Sequence, residues 1–102
     1  MIAGIDLSLR STGISIFDDD LNFIKFEYIE TDKKYLNDEA LLVHIYDTMN
    51  DIFVKNNITK VKLEGLSFGS KSSSKDLVSA SLWLIRILCF KRNIEFDIVA
   101  VS

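Results

Sequence analysis

Residues 2–7, Ile-Ala-Gly-Ile-Asp-Leu, form a strand-length run that is apolar or small at every position but one. A strand without clear alternation belongs in the middle of a sheet covered on both faces, which restricts the chain to a layered α/β arrangement. The exception is Asp6. An ionised carboxylate in a covered strand is costly unless a metal, a cation or hydrogen-bond donors compensate it.

The segments that follow fit such a sheet. Residues 12–20 (TGISIFDDD) and 21–30 (LNFIKFEYIE) alternate as strands, and the acidic tip around Asp20 and Asn22 has the chemistry of a hairpin turn. The chain therefore opens as an antiparallel three-strand meander. A helix is expected after Asn37, a good N-cap, with Asp38 and Glu39 in its first turn. Leu41, Leu42, Ile45, Tyr46, Met49, Ile52 and Phe53 mark its apolar stripe, and Asn56-Asn57 ends it. Residues 59–65 read as a fourth strand, residues 66–74 as a loop rich in Gly and Ser, and residues 75–92 as a second helix starting near Ser74. That helix is apolar nearly all round, so it needs cover on more than one face, and Leu84, Ile85 and Leu88 cannot all face the sheet. A second subunit is the expected cover. Residues 94–102 close the chain as a fifth strand.

The order β-β-β-α-β-α-β describes a single α/β domain, with a five-stranded mixed sheet whose helix-connected strands run parallel to their neighbours. An apolar fraction of 48% over 102 residues is enough for one core. No apolar run is long enough to span a membrane, and no secretory pattern opens the sequence. Cys89 is the only cysteine, which excludes an internal disulfide and suits a reducing cytoplasm. Its helical context makes it a small core residue. His44 lies off the apolar stripe with no second His or Cys nearby, so it reads as a boundary histidine and not a metal ligand. Charge is unevenly spread. Asp18 to Asp51 holds ten acids against three lysines (−7), and the rest holds nine bases against five acids (+4), which together give −3. Any nucleic-acid footprint belongs to the second set.

Glu64 repeats the peculiarity of Asp6: a carboxylate closing an apolar strand, in phase with Lys62 and followed by Gly65. Ligands of open α/β sheets bind beyond the carboxyl ends of the strands, where both acids would lie. Two carboxylates brought together repel unless a proton or cation stands between them, and magnesium or manganese prefers such hard oxygen donors. The plainer alternative is a pair of solvated strand-end acids.

Two segments carry a resemblance. GIDLSLRSTGISIF holds the pattern I-D-x-S-x-x-x-T-G, and KLEGLSFGSKSSS holds E-G-x-S-F-G-S-K. Together with the element order, they make the chain resemble the RuvC family of Holliday-junction resolvases, in particular its phage-type members, within the ribonuclease H-like superfamily. The resemblance implies a dimeric, metal-dependent endonuclease that hydrolyses phosphodiesters of branched DNA in a bacterial or phage-infected cytoplasm. Asp6 would bridge two magnesium or manganese ions and Glu64 would bind one, both as catalytic residues. Phe68 would take the place of a junction-contacting aromatic. Ser70, Lys71, Lys75 and Arg10 would hold phosphates near the scissile bond. The family carries further acids on a helix after the fifth strand, before which this sequence ends. A truncated site, with slow cleavage or none, is therefore expected of the chain as it stands. Two other readings remain open. One is a nucleotide-binding module of the actin and sugar-kinase type, whose phosphate hairpin DLSLRSTG partly imitates. The other is a non-catalytic DNA-binding and dimerisation module.

Overall fold

The computed structural model describes residues 1–7, 11–30, 37–64 and 74–99, with the backbone alone at 74–76. The elements are β1 (Ile2–Asp6), β2 (Ser11–Phe17), β3 (Phe23–Glu30), α1 (Asp38–Lys55), β4 (Lys60–Glu64), α2 (Ser74–Lys91) and β5 (Glu95–Val99). They build one five-stranded sheet in the order β3-β2-β1-β4-β5. β1 pairs antiparallel with β2, and β2 with β3, whereas β1–β4 and β4–β5 are parallel. The meander and the two helical crossovers are thus as the sequence implies.

Local chemistry explains the boundaries. The carboxylate of Asp18 organises the β2–β3 turn. Its Oδ1 accepts the amides of Asp20 and Asn22, each at 2.9 Å, and its Oδ2 accepts Asn22 Nδ2 at 3.1 Å. The bonds from Asn22, backbone first, hold the Asp18 carboxyl below its ordinary pKa. They also fix Leu21 at a φ of 66°, a conformation a leucine rarely adopts unaided. At α1, Asn37 Oδ1 accepts the amide of Ala40 at 2.8 Å, the expected cap; caps of this kind are worth about 1 kcal/mol. Asn57 and Asn93, at φ 51° and 56°, end α1 and α2.

One expectation is overturned. β1 is the central strand, but the described residues bury only one of its faces. The core gathers Ala3, Ile5, Ile14, Ile16, Ile29, Val61 and Leu63, all on one side of the sheet, with Met49, Ile52 and Phe53 of α1 and Ile85, Leu88 and Cys89 of α2. Both helices therefore cover the same face and pack against each other. The opposite face carries Gly4 and Asp6, Gly13 and Ser15, Phe26 and Tyr28, and Lys62 and Glu64. Asp6 and Glu64 on it are exposed, and so are the rings of Phe26 and Tyr28. Asp6 thus keeps its hydration and needs no buried counter-charge.

The second helix is likewise divided more sharply than its composition shows. Of Leu84, Ile85 and Leu88, not all expected to face the sheet, Ile85 and Leu88 are 1% and 2% exposed in the chain's own core and Leu84 is half-buried. Trp83, Ile87 and Phe90 are the ones turned outward, Phe90 at 84% exposure. Cys89 is buried as expected, and burial pushes its thiol up to about 11. No helix among the described residues is long and apolar enough to cross a membrane.

Candidate active site

The parallel register between β1 and β4 pairs Gly4 with Lys62 and Ile5 with Leu63. One residue further on, at the carboxyl ends of the two strands, stand Asp6 and Glu64. Adjacent strands lie about 4.8 Å apart, and the even spacing of Gly4–Asp6 and Lys62–Glu64 puts both acids on the open face. They line one groove of about 410 Å³, together with Gly13, Ser15, Phe26 and Lys62. Both carboxylates thus stand at the carboxyl ends of their strands and line the same groove.

The floor of the groove is made by glycines. Gly13 faces Asp6 across the β1–β2 pair, and a Cβ there would stand 3.1 Å from Cζ of Phe26. Phe26 therefore lies directly over the Gly13 backbone and walls the groove on the β3 side, a contact any larger residue at 13 would displace. Lys62 and Phe26 are members of the site that the motifs do not mark. Lys62 could be found from its phase with Glu64. Phe26 could not, because its place depends on the pairing of Ser15 with Phe26 across β2–β3.

Arg10, Phe68, Ser70 and Lys71 lie outside the described residues, and Lys75 is described only as backbone in the first turn of α2.

The donor set has a definite character: two ionisable carboxylates in water, on neighbouring strands, with no soft ligand between them. That suits one hard divalent ion such as magnesium or manganese. Among the described residues no group of three or more Asp, Glu, His or Cys gathers to hold a metal. Of the described residues, Asp6 and Glu64 are the carboxylates lining the groove that would hold such an ion.

No protein-family model matches the chain, and no curated protein matches it in sequence. Solved structures do match in shape. RuvC of T. thermophilus, in complex with a Holliday junction substrate, superposes at a TM-score of 0.84 with 13% identity, over 97% of this chain and 63% of that one. Fowlpox virus resolvase, in complex with substrate Holliday junction DNA, gives 0.64 with 15% identity, over 100% and 62%. RNase H1 of the archaeon Halobacterium salinarum gives 0.52 with 13% identity, over 99% and 84%. The fold is ribonuclease H-like. The chain is similar in shape to Holliday-junction resolvases and spans a little under two thirds of the length of these two. At such low identity the likeness speaks for the arrangement of strands and helices; the site rests on this chain's own residues.

Proposed function

We propose that the chain is a divalent-metal-dependent endonuclease of branched DNA, of the Holliday-junction-resolvase kind, with Asp6 and Glu64 as its catalytic carboxylates. The observation that carries this reading is their placement, side by side at the carboxyl ends of adjacent parallel strands and in one open groove. The shape shared with resolvases seen on Holliday junctions supports the choice of substrate.

A bound magnesium or manganese ion would supply a water acidified towards hydroxide and positive charge for the phosphate. Asp6, on a strand hydrogen-bonded on both sides, gives that ion a rigid seat. Glu64, at the end of neighbouring β4, would be its second carboxylate ligand. The DNA-holding set remains Arg10, Phe68, Ser70, Lys71 and Lys75.

The test is a labelled four-way junction and a linear duplex of the same sequence, each with manganese or EDTA. Cleavage of the junction alone, and only with manganese, is the expected result. Junction binding without cleavage would replace the nuclease with a DNA-binding module. A thermal shift with ATP but no junction binding would replace it with a nucleotide-binding one.

A symmetric junction presents two equivalent strands, and a two-fold dimer cuts both from identical surfaces. The proposed interface is the outer face of α2. Trp83, Ile87 and Phe90 recur there at helical spacing and are 56%, 48% and 84% exposed. Arg86 stacks over Trp83 at 4.5 Å from the ring centroid, which holds the indole in a fixed position. Sedimentation at tens of micromolar should show a dimer. Phe90→Glu should raise its dissociation constant about tenfold or more, as expected for a buried aromatic anchor. A wild-type monomer at that concentration removes the interface.

A further inference from the structure

The open face of the sheet carries its polar side chains in rows across the strands, and one cation in those rows stands without an ion pair among the described residues. The lower row holds Lys60 of β4 beside Glu95 of β5, register partners whose Nζ and Oε2 close to 3.0 Å. The next row up holds Lys62 beside Asp97, in the same register relation. Here no ion pair forms. Among the described residues, no carboxylate oxygen comes within 4.0 Å of the Lys62 ammonium, whereas Lys25, Lys55 and Lys60 each make such a contact. On its other side Lys62 faces Gly4, which offers no side chain at all. It is half-buried, and it lines the groove of Asp6 and Glu64.

We infer that Lys62 is the phosphate-holding residue of this groove, the cation that draws the scissile phosphodiester onto an ion seated by Asp6 and Glu64. The inference rests on the metal-site reading above and deepens it. The argument is one of charge. Asp6 and Glu64 with one divalent ion make a neutral cluster, which has no net attraction for a phosphodiester. Among the residues that line the groove, which do not include Asp97, adding Lys62 leaves one positive charge once the ion is bound, matched to the single negative charge of a phosphodiester. Without the ion, the groove carries a net negative charge and repels DNA. Lys62 therefore supplies the charge that a second ion would bring to a site whose described ligands suffice for one. A lysine committed to a carboxylate, as Lys60 is, could not do this.

Lys62→Met keeps most of the stem and removes the charge. Three measurements read the outcome. First, calorimetry with manganese and no DNA: the variant should bind the ion about three- to tenfold more tightly, because an ammonium lining the same groove as the ion, in largely aqueous surroundings, opposes it. Second, junction binding in calcium by fluorescence anisotropy: affinity should fall about three- to tenfold, and the slope of log K against log salt should become shallower by about 0.9 for each phosphate no longer neutralised. Third, the same binding in EDTA, where both should bind more weakly than in calcium and the variant no more tightly than wild type. Lys62→Arg should restore the salt slope. Asp6→Asn serves as the control for the site itself. If Asp6→Asn binds manganese as well as wild type does, the metal-site reading falls, and the role of Lys62 falls with it. If Asp6→Asn loses the ion while Lys62→Met changes neither manganese affinity nor salt slope, the role of Lys62 alone is overturned. A folded melting curve for Lys62→Met, expected because its head group has no ion pair to lose, accompanies each comparison.

Discussion

Replacing Asp6 with Asn should lower manganese-dependent cleavage of a four-way junction about a thousandfold or more, the equivalent of about 4 kcal/mol at 1.36 kcal/mol per factor of ten. The size follows from what the carboxylate does in the proposed site: it is one of only two anionic ligands, and an ion polarising a phosphoryl oxygen contributes several kcal/mol of charge stabilisation. An amide oxygen can still coordinate, but it brings no charge. The same substitution should leave the protein as stable in EDTA as before, or more so. Asp6 is exposed and stands one strand from Glu64, so without an ion the two carboxylates repel. Glu64→Gln should behave alike. Stability and activity are thus expected to move independently, and melting curves in EDTA beside cleavage rates in manganese separate them. A large fall in melting temperature for Asp6→Asn would show that the carboxylate holds the fold together and does not seat an ion.

How much of this was legible in the sequence depends on which physical signal each feature left there. The strand and helix order was legible because alternation, the Asn37 cap and the Asn56-Asn57 stop are local signals. The two acids were legible because a carboxylate at the end of an apolar strand is unusual wherever it falls. The one-sided sheet was not. β1 does alternate, with Ala3 and Ile5 inside and Gly4 and Asp6 outside, but glycine is neither polar nor large, so the outward face looked like a second core face. The outward stripe of α2 was hidden for the opposite reason. Apolar residues surround that helix, and periodicity cannot choose which of them face inward. Packing against α1 decides it, setting Ile85 and Leu88 inside and Trp83, Ile87 and Phe90 outside. Phe26 was hidden by register. The β2–β3 pairing shifts between Ile16 and Phe17, and in a sheet a slip of one residue moves a side chain to the other face.

The other large effect is expected one residue away from the site, at Leu63. Leu63 is fully buried and lies beside Ile5 in the β1–β4 pair, so these two residues support from below the strand ends that carry Glu64 and Asp6. Leu63→Ala should cost about 2–5 kcal/mol, combining lost transfer energy with the cavity left between sheet and helices. In a domain of 102 residues, where total stability is about 5–15 kcal/mol, that is a large share. The melting temperature should fall by about 8–40 °C, at about 4–8 °C per kcal/mol for a domain of this size. Val43, 59% exposed on α1, provides the contrast: Val43→Ala should change stability by no more than about 0.5 kcal/mol. The sharper comparison is with the adjacent position. Glu64→Gln should abolish cleavage at unchanged melting temperature, while Leu63→Ala should unfold the domain early yet cleave normally at temperatures where it remains folded. Neighbours in sequence point to opposite faces of β4, one face built for packing and the other for chemistry. If Leu63→Ala instead lost cleavage while still fully folded, the core beneath the groove would be setting the geometry of the acids, and the two faces would not be independent.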